Sequence, residues 1–217
     1  MELRHKKVLV VFTVRRYSGS DVEQIIKVYQ SAFAEPPWNE YMKCVSCGIE
    51  YGRKEVERAR KEADCKKCNQ LLELTEFWAE SDILEDLRFA LAQPDSTILV
   101  AENSDGLAGF TWGYRIPLDK FPFLKGKVPV KSSYMDEVAV RGDKRLRGVG
   151  TLLGEGYITF AKQQELSEIV LRTDERNVAS MALFRKLGFL DIPDLESSRG
   201  SVYDPEFPNR IYLRRGL

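Results

Sequence analysis

The segment that most restricts this chain runs from Tyr134 to Leu153. A β-rich stretch ends near Val140, a loop carries Arg141, Lys144, Arg145 and Arg147, and Gly148, Val149 and Gly150 then open a helix. Glycines let the backbone turn tightly and let a ligand approach the amides. A helix start leaves several N–H groups without intrahelical partners, and the helix dipole favours an anion there. Flanking arginines add charge-assisted bonds to phosphate. Two readings fit: a phosphate or pyrophosphate site, which this combination favours, and an ordinary helix start with glycines that serve packing. The full Gly-x-Gly-x-x-Gly spacing of dinucleotide folds is missing, and so is the Gly-Lys-Ser/Thr ending of a nucleoside-triphosphate loop.

The flanking sequence supplies alternating elements. Residues 7–16 read as a first strand, and a helix follows over about 21–33, capped by Ser18 or Ser20, with an apolar stripe of Val22, Ile25, Ile26, Val28, Tyr29 and Phe33. Pro36 and Pro37 end it. A second helical stretch covers about 72–92, and 96–101 and 107–116 pair as a hairpin through the turn at 103–106. Further strands are expected at 133–140, 168–172 and 210–214, with helices from 148–150 to 164 and over 179–187, while 191–209 lacks periodicity. This order implies a mixed α/β sheet covered on both faces. Asn177 stands where it caps the helix at 179–187 and can also project toward a ligand between strands.

All four cysteines fall between 44 and 68. Cys44 and Cys47 form one pair, and Cys65 and Cys68 form a second after seventeen intervening residues. Two residues between cysteines let both thiolates reach one ion, and the second pair completes a tetrahedron. A closed four-thiolate site leaves no position for water, so the expected zinc is structural; iron cannot be separated from it by sequence. Between the pairs, Arg53–Glu62 is a charged run with no strong apolar stripe, expected as a short solvated helix that needs the metal to hold it.

Composition narrows the function classes. Lys plus Arg and Asp plus Glu each number 33, so no bulk positive field argues for nucleic acid. No run of 18 apolar residues exists, and Val8–Phe12 is a strand rather than a signal peptide. Clustered thiols fit the cytoplasm better than a secreted disulfide scaffold. The single histidine, His5, precedes the first strand and offers no nucleophile–base system.

Arg145, Gly148 and Gly150, followed by the stretch from Asn177 to Gly188 and Phe189, resemble the two signatures of the GCN5-related N-acetyltransferase (GNAT) superfamily. The match in order and spacing covers about 133–190. The resemblance implies a GNAT-like fold over 1–217, with 44–68 inserted, and a central sheet splayed where coenzyme A enters. It implies that backbone groups of Val138, Ala139 and Val140 hold the thioester and pantetheine. The pyrophosphate would lie on the amides from Arg145 to Thr151, through Leu146, Arg147, Gly148, Val149 and Gly150. Asn177 would touch the pantetheine arm. Acetyl transfer from acetyl-CoA to a primary amine of a small molecule or peptide would be direct, in a ternary complex. One departure is Phe184, where many members carry a tyrosine that protonates the departing thiolate; this keeps open a noncatalytic acyl-CoA binder, or a protein or nucleic-acid binder built on the zinc module.

An alkylammonium must lose a proton before it attacks, so a carboxylate near the strand opening has an obvious role. Asp136 and Glu137 occupy that strand. Neighbours alternate faces, so only one is expected to face the acceptor; regular alternation groups Asp136 with Val138 and Val140, and a bulge reverses that parity. Glu137 has the better reach, with Asp136 close behind. Trp38 and Tyr41 are candidates to receive a cationic amine on their ring faces, or plain packing residues. A homodimer stays open.

Overall fold

The computed structural model describes residues 11–217 apart from Leu146. The start of the expected first strand, the Val8–Val10 part of the apolar run, His5 and Leu146 therefore lie outside the described residues. The chain builds a seven-stranded mixed sheet from β1 (Thr13–Arg16), β5 (Thr97–Asn103), β6 (Gly106–Arg115), β7 (Ser132–Val140), β8 (Glu168–Asp174), β9 (Leu190–Asp191) and β10 (Arg210–Gly216). Spatial order is β1-β5-β6-β7-β8-β10-β9. Neighbours are antiparallel except β7 and β8, which run parallel.

Helices α1 (Val22–Phe33) and α3 (Glu80–Ala92) cover one face, α4 (Val149–Gln163) and α5 (Val178–Lys186) the other. The expected α1 stripe is the buried one: Ile25, Ile26, Val28 and Tyr29 pack on Phe110 and Trp112 of β6. Fully burying a side chain of this size contributes roughly 1.5–3 kcal/mol, which explains why an amphipathic helix docks here. No serine caps α1 directly; a short turn over Gly19–Asp21 precedes it. There the Asp21 carboxylate accepts from the Ser18 amide (2.7 Å) and from both terminal nitrogens of Arg15 (2.7 and 2.8 Å). No described helix is long and apolar enough to cross a membrane.

A separate three-stranded sheet has β2 (Met42–Cys44) between β3 (Glu50–Tyr51) and β4 (Leu74–Glu76). Helix α2 (Arg53–Glu62) packs on it through Val56 and Ala59, and with Cys44, Tyr51 and Cys65 these form a small core of their own. The secondary structure around the cysteines thus extends past 44–68 on both sides. It also corrects the helix expected at 72–92, which begins only at Glu80, because Leu74–Glu76 closes the small sheet against β2. Strand β9 and the bridges Pro193–Ser201 and Tyr203–Ile211 order a stretch without sequence periodicity.

Candidate active site

Parallel pairing between β7 and β8 covers only Ser132 to Met135 against Glu168 to Leu171. Beyond Met135 the strands part, because β7 stays hydrogen-bonded to β6 while β8 stays with β10. The gap leads into a cavity of about 540 Å³. Val138 and Val140 line it from β7, Asn177 from the N-cap of α5, Phe184 from α5 itself, and Gly148 to Thr151 from the turn into α4. Arg145 borders it too.

Gly148 is the N-cap of α4, at φ +84° and ψ −1°, a left-handed conformation that favours glycine. The first bond into the helix runs from the Leu152 amide to the Gly148 oxygen (3.0 Å), so the amides of Val149, Gly150 and Thr151 precede it. A Cβ on Gly148 would meet nothing within 4 Å, so the turn presents open space to a ligand. The expected ring of free cations is only partly present. Arg141 is bonded to Asp143, Lys144 to Asp105, and Arg145 donates to the Ala32 carbonyl oxygen at 2.6 Å. Arg147 is exposed and does not line the cavity. Lys186 of α5 does line it, a cation that sequence reasoning missed because only the fold carries α5 to the turn. Asn177 accepts from the Ser180 amide at 3.1 Å while lining the cavity, so the structure has it both capping and bordering the cleft. Ala139 faces the opposite way, into the α1 side of the core.

Where the strands part, β7 contains a bulge. Trp112 pairs with Glu137 and Gly113 with Met135, so Asp136 is an extra residue. Simple alternation would place Asp136 beside Val138 and Val140 with Glu137 opposite. The bulge instead turns both acids to the α1 and α3 face, which corrects the expectation that only one could point there. The Tyr114 hydroxyl donates to Asp136 Oδ2 at 2.9 Å, and the Tyr29 hydroxyl to Glu137 Oε1 at 3.5 Å. Burial pushes both carboxyls up. Glu137 rises well above the ordinary range, since burial is compounded by Asp136, Asp86 and Glu40. For Asp136 burial is opposed by the bond from Tyr114 and by the charge of Arg172. Asp86 and Glu40 are also pushed up, chiefly by burial. They converge from α3 and from the segment after α1, a grouping invisible to local sequence.

Trp38 lines the cavity and Tyr41 does not, and each ring has a guanidinium over one face. The Arg210 guanidinium carbon lies 5.4 Å over Trp38, and that of Arg53 lies 4.7 Å over Tyr41. Phe184 is buried at the cavity wall and packs edge-on against Phe189, with ring centroids 5.8 Å apart. It has no proton to give.

The sulfurs of Cys44, Cys47, Cys65 and Cys68 lie within 4.8 Å of one another. Cys44 to Cys68 is 4.0 Å and Cys47 to Cys65 is 3.7 Å. A tetrahedron with metal–sulfur bonds of ~2.3 Å has edges of about 3.8 Å, so the donor set has the size a zinc ion requires. The Cys68 amide and the Tyr51 hydroxyl hold the Cys65 thiol down to about 5. The Gln70 amide pulls Cys68 the same way, but burial and the neighbouring thiols override it and push Cys68 up to about 11.

The family model for acetyltransferase (GNAT) proteins matches residues 56–189. The chain belongs to the GNAT acetyltransferase family. A curated relative from Pseudomonas paraeruginosa, L-methionine sulfoximine/L-methionine sulfone acetyltransferase, is 36% identical over 100 residues. That match covers 46% of this chain and spans about half of the relative (54%). Among solved structures, the PaiA N-acetyltransferase of Thermoplasma acidophilum, in complex with coenzyme A, superposes with a TM-score of 0.58. It is 14% identical, over 95% of this chain and 99% of that one. The ribosomal-protein-alanine N-acetyltransferase of Brucella melitensis gives 0.54 at 17% identity, over 94% and 99%. At such identities the superpositions establish the fold, and the GNAT architecture expected from the two motifs is the one present.

Proposed function

We propose that this GNAT protein transfers the acetyl group of acetyl-CoA to a primary amine, by direct attack in a ternary complex. The observation that carries the reading is the split between β7 and β8. It leaves a cavity floored by the open amides of the α4 turn, and it begins at the bulge that carries Asp136 and Glu137. In this reading the β7 segment Val138–Val140 holds the thioester and pantetheine. The turn through Gly148, Val149, Gly150 and Thr151 holds the pyrophosphate, with Arg145 and Lys186 bordering the cavity, and Asn177 borders the pantetheine. The T. acidophilum neighbour, solved with coenzyme A, supports an acyl-CoA ligand in this fold.

On the other side, Asp136 and Glu137 take the proton of the acceptor's ammonium. The free amine attacks the thioester carbonyl carbon, the C–S bond breaks, and the nitrogen's surplus proton passes through water to the departing sulfur. With Asp86 and Glu40 nearby, the local field is acidic although the whole chain is neutral, which favours a cationic acceptor. Relatives named for an amino-acid analogue and for a ribosomal protein leave both small-molecule and peptide amines in scope. Cys44, Cys47, Cys65 and Cys68 would hold one structural zinc, and four thiols in this state suit the cytoplasm.

Phe184 favours a second reading, an acyl-CoA binder without turnover. Release of coenzyme A thiol across a panel of amines decides between them. Turnover supports transfer; tight acetyl-CoA binding with no turnover on any amine supports the binder.

A further inference from the structure

Building on the acetyl-transfer reading, we propose that Tyr114 is a positioning residue that makes Asp136, and not Glu137, the group that receives the acceptor's proton. The two acids are neighbours in sequence and share a face, but they are held differently. Asp136 is the extra residue of the bulge. The Tyr114 ring is buried and is met edge-on by Phe89 and Tyr134, at centroid distances of 5.6 and 6.0 Å. Its hydroxyl is thereby aimed at Asp136 Oδ2, 2.9 Å away, within the ordinary range of a hydroxyl hydrogen bond. The bond from Tyr29 to Glu137 is 3.5 Å, at the limit of hydrogen bonding, and the same hydroxyl also reaches toward Asp86.

The surroundings overlap, so the difference lies in the donors. Facing Asp136 are Tyr114 and Trp112 of β6, Arg172 of β8, Tyr134 and Glu137 of β7, Asp86 of α3, Tyr29 of α1 and, through the sheet, Tyr157 of α4. Facing Glu137 are Tyr29 of α1, Tyr114 of β6, Glu40, Asp86 of α3 and Asp136, with Arg172 as the cation in range. Asp136 thus has one short hydrogen bond from a buried phenol in favour of its charged form, whereas the one side-chain bond to Glu137 is the long contact from Tyr29. Burial keeps the Tyr114 phenol protonated, so it stays a donor throughout. When two coupled acids share a site, their surroundings decide which one keeps the proton. Here the proton rests on Glu137 and the charge on Asp136. The step balances: the ammonium N–H bond breaks, the proton joins Asp136, and it leaves to solvent once the amide has formed. Glu137, still protonated, acts as a neutral hydrogen-bond donor.

The test is the pH profile of kcat/KM for an amine that turns over, read as thiol release, in wild type, Tyr114→Phe, Asp136→Asn and Glu137→Gln. Loss of the phenol bond raises the pH at which Asp136 ionises, so the acid limb of Tyr114→Phe should move up by about one pH unit. That is about a tenfold loss at a fixed pH on the limb, with little change on the plateau. Asp136→Asn should abolish the limb, and Glu137→Gln should keep it, because glutamine mimics a protonated glutamate. A limb lost in Glu137→Gln and kept in Asp136→Asn overturns the proposal, as does an unshifted limb in a folded Tyr114→Phe. If Tyr114→Phe does not fold, the two acid variants decide alone. Wild-type protein with no turnover on any amine defeats the transfer reading itself; turnover with the wrong limb defeats only this inference.

Discussion

Replacing Gly148 with alanine separates the turn's conformational role from its ligand role. The residue sits at φ +84°, and an added Cβ finds no atom within 4 Å, so the protein itself offers no clash. The cost is backbone strain of about 1–2 kcal/mol. In a chain of this size that lowers Tm by about 2–4 °C per kcal/mol. Gly148 lines the cavity, so the methyl is expected to intrude where phosphate oxygens would approach the amides of Val149 and Gly150. Wild-type protein with acetyl-CoA at about a hundred times Kd should gain about 2.7 kcal/mol, a rise of roughly 5–11 °C. Gly148→Ala should lose most of that rise in addition to its own strain. Gly200 is the control: it has φ +70°, no atom within 4 Å of its Cβ, and a place in the 192–209 loop away from the cavity. Gly200→Ala should show similar strain and keep the full rise. Melting curves with and without acetyl-CoA read both quantities. A Gly148→Ala protein that keeps the full rise refutes the assignment of the turn to the ligand's phosphates.

Protein purified without added metal should carry one zinc per chain, measured by elemental analysis. Cys65→Ser should abolish it and lower Tm by several degrees, with acetyl-CoA protection largely kept, because the turn at 145–151 belongs to the other sheet. Stability should respond to Glu137 in a defined direction. Its carboxyl is raised in the folded state, so folding retains a proton that the unfolded chain loses, and stability falls as pH rises above the ordinary glutamate range toward the raised value. Glu137→Gln should therefore melt higher than wild type at neutral pH and equal it in acid; a lower neutral Tm argues against a buried, proton-retaining Glu137. Phe184→Tyr places a hydroxyl at the cavity wall and should raise kcat several-fold with acetyl-CoA KM unchanged; an unchanged kcat means the sulfur obtains its proton by another route.

Much of the fold was legible because its signals are local. The α1 stripe, the Asn103–Gly106 hairpin turn and the glycine entry into α4 each lie within a few residues of the structure they produce. The misreading at 72–92 has the opposite character. Leu74–Glu76 is too short to carry a strand pattern, and it becomes a strand because β2, thirty residues earlier, offers it an edge. The small sheet around the cysteines is stabilised by a handful of buried side chains, with Val56 and Ala59 the contribution of α2, too few for periodicity to reveal.

The acids show where sequence reading stops for a physical reason. A regular strand forces Asp136 and Glu137 apart, and only the mismatch between Trp112–Gly113 and the facing residues of β7 brings them together. That mismatch is a property of the pair of strands, so neither strand's sequence contains it. The same holds for the pressure on Glu137. Asp86 and Glu40 reach it from elements about fifty and a hundred residues away, and each taken alone reads as a solvated charge. Four carboxylates gathered with Arg172 as the nearby cation, itself bonded to Asp204 at 2.6 Å, cannot all ionise without mutual repulsion. A cation that enters this site would relieve that repulsion and let Asp136 act as base, so binding of the acceptor's ammonium and preparation of the base are coupled in one electrostatic event.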